Sequence, residues 1–109
     1  MSEYDLRQLR LMRDALQRYD RSNTFLDKLS HLLAHLEALV HVLELVDEHW
    51  KSRFLGKLGV LDEVYAVAVD KGRTTLTADD VQLVSRALEE IEKLVSERLP
   101  PGNDDQLDH

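Results

Sequence analysis

Residues 31–50, HLLAHLEALVHVLELVDEHW, hold four of the five histidines of this 109-residue chain. His31 and His35 stand four apart, the spacing that puts two imidazoles about 40° apart on one side of a helix, where a metal could sit between them. A catalytic zinc needs three protein ligands and a structural zinc four, so the pair must find others. His49 is 14 residues beyond His35, about 21 Å along a helix, and His41 points to another side. The Glu-x-x-His pairs of di-iron bundles are missing, because Val40, Asp47 and Lys51 stand three residues after Glu37, Glu44 and Glu48. No metal or other cofactor is therefore expected. His31 and His35 read as residues beside a leucine seam, covering apolar surface with polar tips.

A second set lies on the same stretch. Glu37, His41, Glu44 and Glu48, spaced four, three and four apart, form one stripe if the helix continues through them, about a quarter-turn from the seam. Such a stripe is either a solvated face or a protein-binding surface. Enzymatic patterns are sparse: there is no nucleophile elbow, no glycine-rich phosphate loop and no His-Glu-x-x-His. The adjacent carboxylates Asp62-Glu63 and Asp79-Asp80 point about 100° apart on a helix, and the second pair has a capping role.

Four helical elements must position these residues, and with four glycines and two prolines the punctuation between them is sparse. The first helix is expected at about 3–20, with Leu6, Leu9, Met12, Leu16 and Tyr19 on one side. Ser22, Asn23 or Thr24 would cap the second. That helix is expected from Thr24 to Val46, about 35 Å long, with Leu29, Leu32, Leu36, Leu39, Leu43 and Val46 as its seam. Asp47 reads as a new cap, with a third helix from Glu48; a helix continuous through Trp50 is the alternative. Trp50, Phe54, Leu58, Leu61, Tyr65 and Ala68 form the stripe of the third helix, and Gly72 stops it. Gly56 and Gly59 within it suggest a close helix crossing or a bend. Thr77-Ala78-Asp79-Asp80 reads as a capping box for a fourth helix carrying Val81, Val84, Leu88, Ile91 and Val95, which ends at Pro100-Pro101.

The fold class is thus all-α, a compact antiparallel four-helix bundle formed by residues 1–99, with 100–109 a flexible acidic tail. Twenty-one acidic against fourteen basic residues give a net charge of −7, which disfavours nucleic acid as partner and favours a basic protein. Residues 1–23 are the exception, with five arginines against four acids. The absence of cysteine excludes disulfides and thiolate zinc sites. With neither a signal-like N-terminus nor a membrane-spanning stretch, the expectation is a cytoplasmic protein.

The segment DEHWKSRFLGKLGVLDEVYAVAVDKGRTTLTADDVQLVSRALEEIEKLV carries a resemblance. Glu48-x-Trp50 followed by Phe54, then Leu61-x-Glu63-x-Tyr65-Ala66, a loop with Leu76 and a closing amphipathic helix, resembles small immunity proteins of bacterial contact-dependent growth inhibition and related polymorphic toxin systems. It is most similar to the helical group paired with EndoU-type ribonuclease toxins, over about residues 6–97. Leu58 stands where relatives often carry an aromatic before the glycine. The resemblance implies an antitoxin without catalysis of its own, bound to a toxin nuclease domain whose active site it covers. Contact residues differ between cognate pairs, so the partner-binding set expected here, Glu37, His41, Glu44 and Glu48, comes from the charge pattern alone. An acidic surface of this kind can complement the basic cleft of an RNase. The alternative is a helical regulator that binds a ligand or metal on the His31/His35 side of the second helix.

Overall fold

Ser2 opens the first helix, its Oγ accepting the Asp5 N–H at 3.1 Å, and the chain then alternates four helices with short connections. A computed structural model describes residues 2–100; of the expected tail, residues 101–109 lie outside the described residues. The helices are α1 (Glu3–Arg18), α2 (Leu26–His41), α3 (Glu48–Asp70) and α4 (Ala78–Arg98). Each packs on its neighbours in chain order and α4 closes back on α1, so the four make a ring of antiparallel contacts. The all-helical bundle read from the periodicity is what forms.

The core is set by the repeating apolar positions. Leu9, Met12 and Leu16 of α1, Leu29 and Leu36 of α2, Trp50, Phe54 and Leu61 of α3, and Leu88 and Ile91 of α4 are fully buried. Trp50 buries its ring against Phe54, with centroids 5.3 Å apart. Its indole N–H donates to the Leu94 carbonyl at 2.8 Å, which bolts the start of α3 to the last turns of α4. A buried Trp must find such an acceptor, because an unpaired N–H in the core carries a desolvation penalty. Tyr65 is not beside this pair: it lies about four turns further along α3 and is half-buried, and Val64 takes the core position instead.

Several ends follow their sequence signals. Asp47 caps α3, its carboxylate accepting the Trp50 N–H at 2.7 Å, so α2 and α3 are separate helices. Thr77 and Asp80 form the capping box of α4. Gly72, at φ +71°, ends α3 in a Schellman arrangement, with Arg73 N–H donating to Ala68 O and Gly72 N–H to Val69 O, both at 2.9 Å.

Other expectations are corrected. α1 stops at Arg18 rather than residue 20, because the Asp20 carboxylate takes the Ser22 N–H and hydroxyl at 2.9 and 2.7 Å and turns the chain. No side chain of Ser22, Asn23 or Thr24 caps α2; Phe25 is its N-cap residue, without a side-chain bond. Asn23 instead stiffens the turn, accepting from Phe25 N–H and donating to the Tyr19 hydroxyl and the Phe25 carbonyl. Gly56 and Gly59 mark no close crossing, since both are exposed and a Cβ on either would meet nothing within 4 Å. The largest correction is α2 itself, which ends at His41 instead of Val46. The next two free amides do not continue its ladder: Glu44 N–H donates to Asp5 Oδ1 at 2.9 Å and Leu45 N–H to Asp5 Oδ2 at 2.7 Å. Asp5 is fully buried, a carboxylate of α1 serving as acceptor for the α2–α3 connection. Leu43 still packs into the core from this connection, which is why the apolar spacing runs on past the helix end.

The opposite end of the bundle has a small β element that no alternation announced. Phe25 and Thr75 pair as an isolated antiparallel bridge, with Leu26 N–H donating to Thr74 O at 3.2 Å and Leu76 N–H to Thr24 O at 2.7 Å. It ties the α1–α2 turn to the α3–α4 loop.

Candidate functional site, an acidic corner between the second and third helices

The four residues of the expected stripe share no helix face. Glu37 and His41 ride the last turns of α2, Glu44 lies in the connection and Glu48 begins α3. All four are exposed. The stripe assumed a helix running through residue 46, and the Asp5 carboxylate prevents that by holding the two amides that would have extended it. What remains is a corner at which the residues lie on successive elements.

That corner is stiff for a connection. Its backbone is fixed at Glu44 and Leu45 by a buried carboxylate, and at Asp47 by the α3 cap. Asp47 also pairs with Arg98 at the end of α4. The Trp50 N–H bond is the chief cause that holds the Asp47 carboxyl below the ordinary aspartate range; partial desolvation opposes it, and Arg98 and His49 reinforce it. Asp47 is therefore charged at neutral pH and adds to the acidity of Glu44 and Glu48 beside it.

Two apolar side chains stand exposed among these charges. Val42 is 41% and Leu45 63% exposed, the latter more than any other large apolar residue described. Both lie in a segment whose other exposed residues, His41, Glu44, Asp47 and Glu48, are polar or charged. The charge pattern missed both. A signal was present: on the helix expected there, Val42 and Leu45 fall off the Leu39-Leu43-Val46 seam and so interrupt an otherwise polar face.

The histidine pair lies elsewhere. His31 and His35 are exposed on α2, on the wall of a cleft between that helix and the end of α1. Among the described residues no three His, Cys, Asp or Glu side chains gather to hold a metal ion. Nor is any described helix long and apolar enough to cross a membrane. Comparison with models of protein families, with curated proteins and with solved structures finds no match to this chain.

Proposed function

We propose that the chain is a protein-binding antitoxin, an immunity protein that engages a basic nuclease toxin through the α2–α3 corner and covers its active site. The observation that carries this reading is Leu45, exposed on a connection whose backbone a buried carboxylate holds in place, with Glu44, Asp47 and Glu48 around it. A preorganised apolar anchor loses little freedom on binding, so its burial goes into affinity. The surrounding carboxylates supply attraction to the Lys- and Arg-lined cleft with which an RNase holds its phosphate backbone. The net charge of −7 acts in the same direction at longer range. The resemblance of residues 6–97 to immunity proteins paired with EndoU-type toxins names the class of partner, and the chain itself needs no catalysis for the role.

The test is inhibition of RNA cleavage by the toxin domain encoded beside the gene. The purified chain should inhibit at one-to-one stoichiometry and cleave nothing alone. Leu45→Arg should raise the dissociation constant by at least about a hundredfold, as loss of a central anchor does. Glu37→Lys with Glu44→Lys and Glu48→Lys should slow association, more at low salt than at high salt. Full inhibition by both variants would move the interface away from the corner; failure of the unmutated chain to bind that toxin would end the antitoxin reading.

A further inference from the structure

The cleft beside His31 and His35 has a chemistry of its own. It occupies about 500 Å³ between the C-terminal turn of α1 and the first turns of α2. Along α2, Phe25, Lys28, His31 and His35 line one wall at a spacing of three, three and four residues, and Arg18 and Tyr19 face them from α1. Ala15 and Leu32 supply an apolar floor.

The polar groups are mostly donors. Arg18 and Lys28 are exposed and in no ion pair among the described residues, while each imidazole offers an N–H in either charge state. The Tyr19 oxygen already accepts from Asn23 Nδ2 at 2.9 Å, which leaves its O–H to donate. Burial raises the Tyr19 pKa, so that proton stays in place. The one carboxylate on the wall, Asp20, is held ionised by the N–H and hydroxyl of Ser22, and its charge is partly met by Lys28, so Arg18 and the imidazoles carry most of the attraction for an anion. At the rim the Phe25 ring is 58% exposed, held there because its backbone is fixed in the bridge to Thr75. A chain of charge −7 thus has a local pocket of cations and donors with a bare aromatic face at its edge.

We propose that this α1–α2 cleft binds a small aromatic anion, a carboxylate or phosphate attached to a planar ring. The acid group meets Arg18, Lys28 and the two imidazoles, and the ring stacks on Phe25. Neither half suffices. An inorganic anion leaves Phe25 bare, and the overall negative charge opposes non-specific attraction of anions to the rest of the surface. The inference is independent of the antitoxin reading, because the acidic corner lies at the other end of α2.

The experiment is titration of the full chain, observed by amide and imidazole NMR shifts, with phenyl phosphate, phenylacetate, inorganic phosphate and benzyl alcohol in parallel. One of the two aromatic anions should saturate, with shifts confined to residues 15–35 and a dissociation constant at least about tenfold below those of inorganic phosphate and benzyl alcohol. Which of the two binds tighter distinguishes a phosphate from a carboxylate ligand. Arg18→Glu with Lys28→Glu should weaken binding at least about tenfold, a change of about 1.4 kcal/mol. His31→Gln with His35→Gln gives the same arm should the first pair disturb folding, which altered α3 and α4 amide shifts would report. Phe25→Ser should bring phenyl phosphate down to the affinity of inorganic phosphate. The proposal is overturned if neither aromatic anion saturates below about 10 mM, if the shifts spread equally to Arg7 and Arg10, or if Phe25→Ser binds as tightly as the unmutated chain.

Discussion

The connecting segments at the two ends of the bundle are fastened differently. At the α2–α3 end, side chains hold the backbone: the Asp5 carboxylate takes the Glu44 and Leu45 amides, Asp47 caps α3, and the Trp50 indole reaches the Leu94 carbonyl. At the other end the α1–α2 turn and the α3–α4 loop are joined backbone to backbone through the Phe25–Thr75 bridge, while Asn23 and the Thr77–Asp80 box act within their own turns and Arg21 reaches Glu92 of α4. A fastening made by a side chain is lost with one substitution, whereas a ladder bond survives any replacement that keeps its N–H. The end that presents the proposed partner surface is therefore the one whose shape depends on a few individual residues.

Mutation can break this contrast or sharpen it. The largest effect is expected from Trp50→Ala, which removes a fully buried ring and its bond to Leu94 and should cost about 3–5 kcal/mol in a urea melt. An unchanged midpoint would refute the packing of α3 described above. Asp5→Ala comes next, at about 3 kcal/mol, since two charge-assisted bonds are lost and the connection's amides are left to water. It should also weaken toxin binding beyond its effect on stability, because Leu45 loses its fixed position; equal binding would show that the corner needs no preorganisation.

Thr77→Ala at the opposite end should cost about 1 kcal/mol, the usual loss for a cap. Replacing Thr75 by Val, which keeps the bridging backbone, should stay within about 0.5 kcal/mol. A Thr75→Val loss as large as that of Asp5→Ala would erase the distinction between the ends.

Acid should act on both caps. Asp47 is held below the ordinary range chiefly by the Trp50 N–H; for Asp80, partial desolvation pushes upward but is outweighed by bonds with Thr77 and by Arg73. A carboxyl whose folded pKa is depressed binds its proton more readily in the unfolded chain. Its contribution is thus present above the unfolded value near 4 and lost as pH falls through the lower folded value. Melts between about pH 5 and pH 2 should show a smaller acid loss for Asp47→Ala than for the unmutated chain. Gly56→Ala has the opposite sign. With open space around the added Cβ, it should stabilise by up to about 1 kcal/mol.

What the sequence disclosed depended on the range of the interaction concerned. Signals contained within one turn were legible: the Thr77–Asp80 box, the Asp47 cap, the stop at Gly72 and the three-four spacing of Leu9, Met12 and Leu16. The end of α2 was not, because the residue that ends it, Asp5, lies 39 and 40 positions from the amides it holds. The leucine spacing continued through Leu43 for a different reason, the connection packing on the same core. The Glu37-His41-Glu44-Glu48 stripe inherited that error, although each of its members is exposed as expected. The pairing of Phe25 with Thr75 left no trace, since it uses backbone groups that every residue type carries. In the cleft, the His31/His35 spacing put those two residues on one wall but gave no sign of the residues facing them, since Arg18 and Tyr19 arrive from another helix.

The Phe25–Thr75 bridge also supplies a natural reporter. Its two amides, Leu26 and Leu76, belong to segments 50 residues apart, one following α1 and the other following α3. Both protons are released only when the α1–α2 and α3–α4 hairpins part at that end. Their hydrogen exchange should accordingly proceed in concert and at a rate set by that separation, slower than that of the exposed neighbours Thr24 and Thr74. Two amides would then time the parting of the two hairpins at that end.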